Sequence, residues 1–122
     1  MTNEITLSKA EFKLDLEAEG LNVLDYVPER ITPPIVIVNS ASPYLTPSSL
    51  GKEYILSLEL VVIAATATNK QATEKLDEAI ADVLTAMPRY ARMTRVGAPY
   101  EMQTNNASYL AANISVELEI TI

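Results

Sequence analysis

Carboxylates are the side chains best placed to do chemistry here, because the 122-residue sequence contains neither histidine nor cysteine. That composition excludes a serine–histidine triad, a cysteine nucleophile, a disulfide and a zinc–thiolate site. Two groups of carboxylates have suggestive spacing. Glu117 and Glu119 alternate on a predicted strand, as a general acid–base pair would. Asp77, Glu78 and Asp82 lie close together on a predicted helix, where a divalent cation would find oxygen ligands.

Both sets of carboxylates are better explained as polar surfaces in contact with water. No glycine turn or basic neighbour marks the glutamate pair, and the helical carboxylates lack a loop that would bend them around an ion. The three glycines form no phosphate-binding motif. We therefore expect no catalytic residue, no metal site and no cofactor, and we expect that the protein is not an enzyme.

The overall charge bears on the possible partners. Sixteen acidic residues against nine basic ones give a net charge of −7, which disfavours a nucleic acid held through its phosphates. The N-terminus does not resemble a secretory signal. The most apolar stretch, residues 54–65, is interrupted by Ser57 and Glu59 and is too short to cross a bilayer. We expect a protein that is made in a cytoplasm and does not bind a membrane.

A cluster of arginines is the first candidate for a contact surface. Three of the four arginines, Arg89, Arg92 and Arg95, lie within seven residues, together with Tyr90 and Met93. They either keep the segment after a helix solvated or contact an acidic surface of another subunit or partner, since these residue types are enriched at interfaces. Complementary carboxylates on a second subunit would be those of the predicted helix: Glu74, Glu78 and Asp82.

The segment Asn39–Leu50 is the second candidate for a contact surface. It is predicted as a loop, and it presents Tyr44 and Leu45 between Pro43 and Pro47. A rigid aromatic side chain flanked by prolines suits a partner contact. The alternative is that Tyr44 and Leu45 fold back onto their own sheet.

Two helices are among the elements that must position these residues. Residues 6–20 consist of helix-forming types, although residues 12–18 also alternate with the period of a strand; we predict a short helix that begins with a Ser8–Glu11 capping box. Asn69–Met87 carries an apolar stripe at 3.6-residue spacing and is predicted as one long amphipathic helix. The predicted buried side of the first helix comprises Leu7, Ala10, Leu14, Ala18 and Leu21.

The remaining predicted elements are strands. They comprise Ile35–Val38, Glu53–Thr66, Ser108–Ile122, an extended segment Arg92–Thr104 that breaks at Gly97–Pro99, and a short strand at Leu21–Tyr26. On the second of these, Ile55, Val61 and Ile63 form an apolar face that something must cover. The fold class predicted for a single domain at 1–122 is α+β: a mostly antiparallel β-sheet packed against one long amphipathic helix, with a short N-terminal helix.

The order of short blocks along the chain supports a family resemblance. The blocks are Ile31-Thr32-Pro33-Pro34, Pro43-Tyr44-Leu45, Leu76-Asp77-Glu78-Ala79-Ile80, Val96-Gly97-Ala98-Pro99 and Ser108-Tyr109-Leu110-Ala111-Ala112. In this order they resemble the tail-terminator, or tail-completion, proteins of long-tailed bacteriophages, and they are similar to the lambda minor tail protein U family. The likeness extends over nearly the whole chain.

The resemblance implies a structural virion protein without catalytic residues. It implies a ring of copies of this chain, a hexamer, at the head-proximal end of the tail tube, which stops tube growth and joins the tail to the neck. The implied partners are the chain itself, the tail tube protein and a neck or head-completion protein, and DNA passes through without specific binding. The alternatives are another head–tail connector and a small cytoplasmic ligand-binding α+β domain.

In the predicted ring, two sets of residues are expected to lie on functional surfaces. The contact set contains Tyr44, Leu45, Ile55, Val61, Ile63, Arg89, Arg92 and Arg95. The second set, Glu59, Glu117 and Glu119, is predicted to line the channel, because its carboxylates project from strand faces on which no lysine or arginine is expected. The alternative is that these glutamates only keep the outside of the ring soluble.

Overall fold

The structure is a computed structural model that describes residues 3–26, 28, 30–48, 53–65, 70–104 and 107–121. Two α-helices and six β-strands follow one another along these residues. In chain order they are α1 (Glu4–Ala18), β1 (Val23–Leu24), β2 (Ile35–Pro47), β3 (Glu53–Ala65), α2 (Lys70–Ala86), β4 (Ala91–Val96), β5 (Tyr100–Thr104) and β6 (Ala107–Thr121).

The six strands form one sheet in the order β1-β2-β3-β6-β4, and β5 also pairs with β6. Only β1 and β2 are parallel; every other described pair is antiparallel. β3 and β6 form the centre of the sheet, where Leu60 lies opposite Ile114. Because β4 and β5 both pair with β6, they follow each other along one outer edge, and the break between them falls where Gly97–Pro99 was predicted to interrupt the extended segment.

The predicted fold class is wrong in its balance of elements. The structure is mostly β-sheet, with 50% strand and 30% helix, and no single long helix dominates it. The two helices are of comparable length, 15 residues in α1 and 17 in α2. β2 extends nine residues beyond the predicted Val38, to Pro47, because the supposed loop pairs with β3 as far as Tyr54 after a register shift.

Helix α1 begins earlier than the Ser8–Glu11 capping box predicted. The Asn3 side chain accepts a hydrogen bond of 2.8 Å from the Thr6 backbone N–H and so caps the helix. The predicted buried side is also wrong: Phe12 and Leu16, one turn apart, are fully buried, whereas Leu14 is 63% exposed. The helix ends before Gly20, whose φ of +92° suits glycine.

Both helices contact the same face of the sheet, which we call the helix face. Phe12, Leu76 and Val83 from the helices pack there in one core with even-numbered residues of β3 such as Leu58 and Leu60. The odd-numbered residues of β3 point to the opposite side, which we call the second face. A smaller apolar cluster covers one end of the second face: Ile31, Ile35, Ile37, Val61, Ile63, Tyr109 and Ala111.

Candidate functional site

The outer edge formed by β4 and β5 is a candidate contact surface. β4 pairs with β6 at residues 114–118, and β5 pairs with it at residues 107–111. The Gly97 N–H donates a 2.7 Å hydrogen bond to the Asn113 carbonyl, which keeps the chain against β6 between the two strands. No other described strand pairs with β4 or β5, so the outward backbone groups of this edge are available to a partner.

Two of the predicted arginines lie on the second face of β4. Arg92 is opposite Glu117 and Arg95 is opposite Ser115, and both arginines are exposed. They share a face although they are three residues apart, because the register shifts between Met93 and Arg95. The hydroxyl of the intervening Thr94 donates to the Ser115 carbonyl at 3.3 Å. The alternation rule alone would have placed these arginines on opposite faces.

The helix side of the same strand is apolar. Met93 lies opposite Val116 and Val96 opposite Ile114, and they are 43% and 37% exposed. Arg89, in the turn before β4, is exposed as well. The edge therefore offers cations on one side, apolar side chains on the other and unpaired backbone groups between them. These are the components of a protein contact surface.

The loop candidates Tyr44 and Leu45 fold back onto the chain. Both are half-buried against the main core. The Lys9 ammonium donates a 3.1 Å hydrogen bond to the Tyr44 hydroxyl and lies 5.4 Å from the centre of the ring. Both side chains thus pack within their own chain, as the alternative expected, and their role as partner contacts stays a prediction.

Two of the three apolar residues predicted for the oligomer contact are core residues. Val61 and Ile63 are 7% and 0% exposed, within the cluster that includes Ile31 and Tyr109. The argument that these side chains need a second subunit is therefore wrong: the segment before β2 and the start of β6 cover them. Ile55 is half-buried and stays a prediction.

The predicted channel residues lie together on the second face, but their charge is not isolated. Glu59 accepts a hydrogen bond from the Asn113 amide, and the Tyr100 hydroxyl donates to the Asn113 oxygen at 2.8 Å. Burial, and then the nearby Glu59 carboxylate, raise the pKa of Tyr100. Neither β3 nor β6 carries a lysine or arginine within its described range, but Arg92 and Arg95 of the neighbouring β4 lie on the same face.

The assignment of these glutamates to a channel stays a prediction. Glu117 is half-buried and has Arg92 as its neighbour on β4, whereas Glu119 is exposed. Any channel lining formed by this face would therefore contain mixed charges. Arg92 and Arg95 reach it because β4 pairs with β6, a pairing that has no local signal.

A contact between α1 and the start of β4 has no signal in the sequence pattern. The Tyr90 hydroxyl donates to the Asp15 carboxylate across 75 residues of sequence. Burial, then this hydrogen bond and the charges of Asp15 and Glu11, raise the pKa of Tyr90. The bond ties helix α1 to the turn that leads into the exposed edge.

The described residues offer no obvious reaction centre. Among them, no three acidic side chains are grouped so that they would hold a metal ion. A cavity of about 190 Å³ lies beside α2, with mainly apolar walls that include Leu21, Val36 and Val83, and Asp82 borders it. Within the described parts of the chain, no helix combines the length and apolarity that a bilayer crossing requires.

Comparison with known proteins adds no further assignment. No protein-family model matches this sequence, and no curated protein matches it.

Proposed function

We propose that this protein is a structural component of a long-tailed phage virion, a tail terminator. Copies of the chain assemble in the bacterial cytoplasm into a six-membered ring at the head-proximal end of the tail tube. The ring stops tube polymerisation and presents the surface to which the neck attaches. The order of the Thr-Pro-Pro, Pro-Tyr-Leu and Gly-Ala-Pro blocks supports this proposal.

The single structural observation in its favour is the exposed β4–β5 edge. An edge strand presents a row of unpaired backbone N–H and C=O groups, which pair readily with other chains. Here the edge is eleven positions long in two strands of six and five residues, and it exposes Met93 and Val96 beside unpaired backbone. A surface of this kind is suited to repeated protein contacts.

The proposed partners follow from the ring and its charge. One side of the ring binds the tail tube protein, and the other binds a neck or head-completion protein. The net charge of −7 per copy opposes tight binding of DNA that passes through the ring. No cofactor and no membrane takes part in the proposed function.

Negative-stain electron microscopy of the purified chain with isolated tail tubes tests the proposal. We expect rings at one end of the tubes, and we expect shorter, capped tubes when the protein is present during tube polymerisation. The Arg92→Glu/Arg95→Glu double variant, which should stay folded, then shows whether the arginines of β4 take part in this activity, and Arg30→Glu, which changes the only arginine outside the cluster, is its control.

A stable monomer that neither binds tubes nor alters their length would overturn the proposal. If that monomer also copurified with a small molecule, the ligand-binding alternative would be favoured, and the cavity beside α2 would be the first place to look for the ligand.

A further inference from the structure

The arginines of β4 have no ionic partner within the described chain. Arg92 and Arg95 are exposed, and the one ion pair among the described residues joins Lys13 to Glu17 at 3.8 Å. Arg92 has Glu117 as its cross-strand neighbour, which offsets part of its charge, whereas Arg95 faces the neutral Ser115. Arg95 is therefore the less compensated of the two cations.

A run of negative charge lies on the second half of helix α2. After Lys75, the helix carries three carboxylates and no basic residue as far as its end at Ala86. Glu78 and Asp82, one turn apart, are both exposed, and we call them the acidic row. Leu76 and Val83 hold the helix on the sheet, so the row is not needed for packing within the chain.

A single copy cannot bring these two surfaces together. Helix α2 packs on the helix face of the sheet, whereas Arg92 and Arg95 project from the second face. The thickness of the sheet separates them. The two charged surfaces can therefore neutralise each other only between copies.

The spacing of the charges also matches. Arg92 and Arg95 lie opposite Glu117 and Ser115, two residues apart on β6, which places them about 7 Å apart along the strand. Residues one turn apart on a helix, such as Glu78 and Asp82, are separated by about 6 Å along its axis. Two adjacent ion pairs fit this geometry.

We infer that Arg92 and Arg95 on β4 of one copy bind the acidic row, Glu78 and Asp82, on α2 of a second copy. The contact is head-to-tail, because a two-fold contact of β4 with β4 would set arginine against arginine. Every copy offers both surfaces, so the contact repeats and builds a ring or an open array. This inference rests on the proposed function only in taking a second copy as the partner.

Disulfide trapping tests the contact directly, because the chain has no cysteine of its own. Arg95→Cys and Glu78→Cys chains are purified separately, mixed and oxidised. We expect the mixed dimer to exceed either homodimer several-fold. A mixture of Arg30→Cys with Glu78→Cys is the control and should give only the background yield. A mixed yield equal to this control, or a dominant Arg95→Cys homodimer, would overturn the inference.

A charge swap distinguishes this inference from the proposed function. Arg92→Glu/Arg95→Glu should abolish ring formation, as should Glu78→Arg/Asp82→Arg, and mixing the two variants should restore a contact that alternates between them. Of the single variants, Arg95→Glu should have the larger effect. If rings cap tail tubes in both double variants, the proposed function stands and this contact is wrong. If the chain self-associates through these residues without binding tubes, the contact stands and the tail function fails.

Discussion

At the β1–β2 edge of the sheet, strand β2 carries Pro43 and Pro47, and Lys9 of helix α1 reaches across to the Tyr44 hydroxyl. At the β4–β5 edge neither strand contains proline, and Met93 is 43% exposed beside two arginines. Proline and a covering helix are common ways to prevent strand addition. One edge is therefore protected, whereas the other is available, with its backbone groups and apolar side chains open to contact with a second chain.

Truncation of Phe12, which anchors helix α1 on the sheet, is expected to have the largest effect on the difference between the two edges. Phe12 is fully buried where α1 packs on the sheet, so Phe12→Ala should lower the free energy of unfolding by about 3–5 kcal/mol. Urea denaturation measures the loss. Leu14→Ala, on the exposed side of the same helix, should change it by about 0.5 kcal/mol or less. Equal losses in the two variants would contradict the orientation of α1.

Truncation of Tyr44, at the protected edge itself, should have a moderate effect on the free energy of unfolding. Tyr44 is half-buried and bonded to Lys9, so Tyr44→Ala should cost about 1–3 kcal/mol of unfolding free energy. The matched control is Tyr26→Ala, because Tyr26 is 59% exposed and should tolerate truncation. A Tyr44→Ala chain as stable as the wild type would mean that the tyrosine does not hold the edge.

The hydrogen bond between Tyr90 and Asp15 should make the stability of the protein fall at alkaline pH. The pKa of Tyr90 is raised above its ordinary value of 10.0 in the folded state, so the unfolded chain loses this proton first as the pH rises. Stability should therefore fall as the pH rises past about 10, and the fall should be shallower in Tyr90→Phe. Asp15→Asn should also make it shallower. Urea titrations across this pH range measure the stability. If stability fell equally steeply with pH in the wild type, Tyr90→Phe and Asp15→Asn, the contact would be contradicted.

Charges placed on the available edge should affect folding least. Met93→Lys and Val96→Lys should each change the unfolding free energy by about 0.5 kcal/mol or less, because both side chains are partly exposed. Light scattering should show less self-association, because a charged side chain on this side of β4 opposes burial of the edge in a contact with a second copy. Ala91→Lys, which alters a residue packed against the core on the same strand, should instead cost about 1–3 kcal/mol. Unchanged self-association in both Met93→Lys and Val96→Lys would show that this edge does not take part in self-association.

Local patterns predicted some elements well and others poorly. The apolar stripe of α2 predicted a helix over the whole of its described length, because Ala72, Leu76 and Val83 recur at the helical period and are buried. β2 was predicted far too short, because its serines and prolines favour a loop and only pairing with β3 makes it extended. Val61 and Ile63 alternate correctly on their strand, but no local signal shows that Ile31 and Tyr109 cover them.

By itself, the sequence determined the available chemistry: without histidine and cysteine there are no thiolates and no imidazoles, and a net charge of −7 makes the surface acidic. It also determined that Arg92 and Arg95 are close together, because neighbours along the chain stay neighbours in space. Only the tertiary structure decided which face the arginines share, since that depends on the register shift against β6. The protection of one edge and the exposure of the other are likewise tertiary, because Lys9 meets Tyr44, and Asp15 meets Tyr90, only when distant segments pack together.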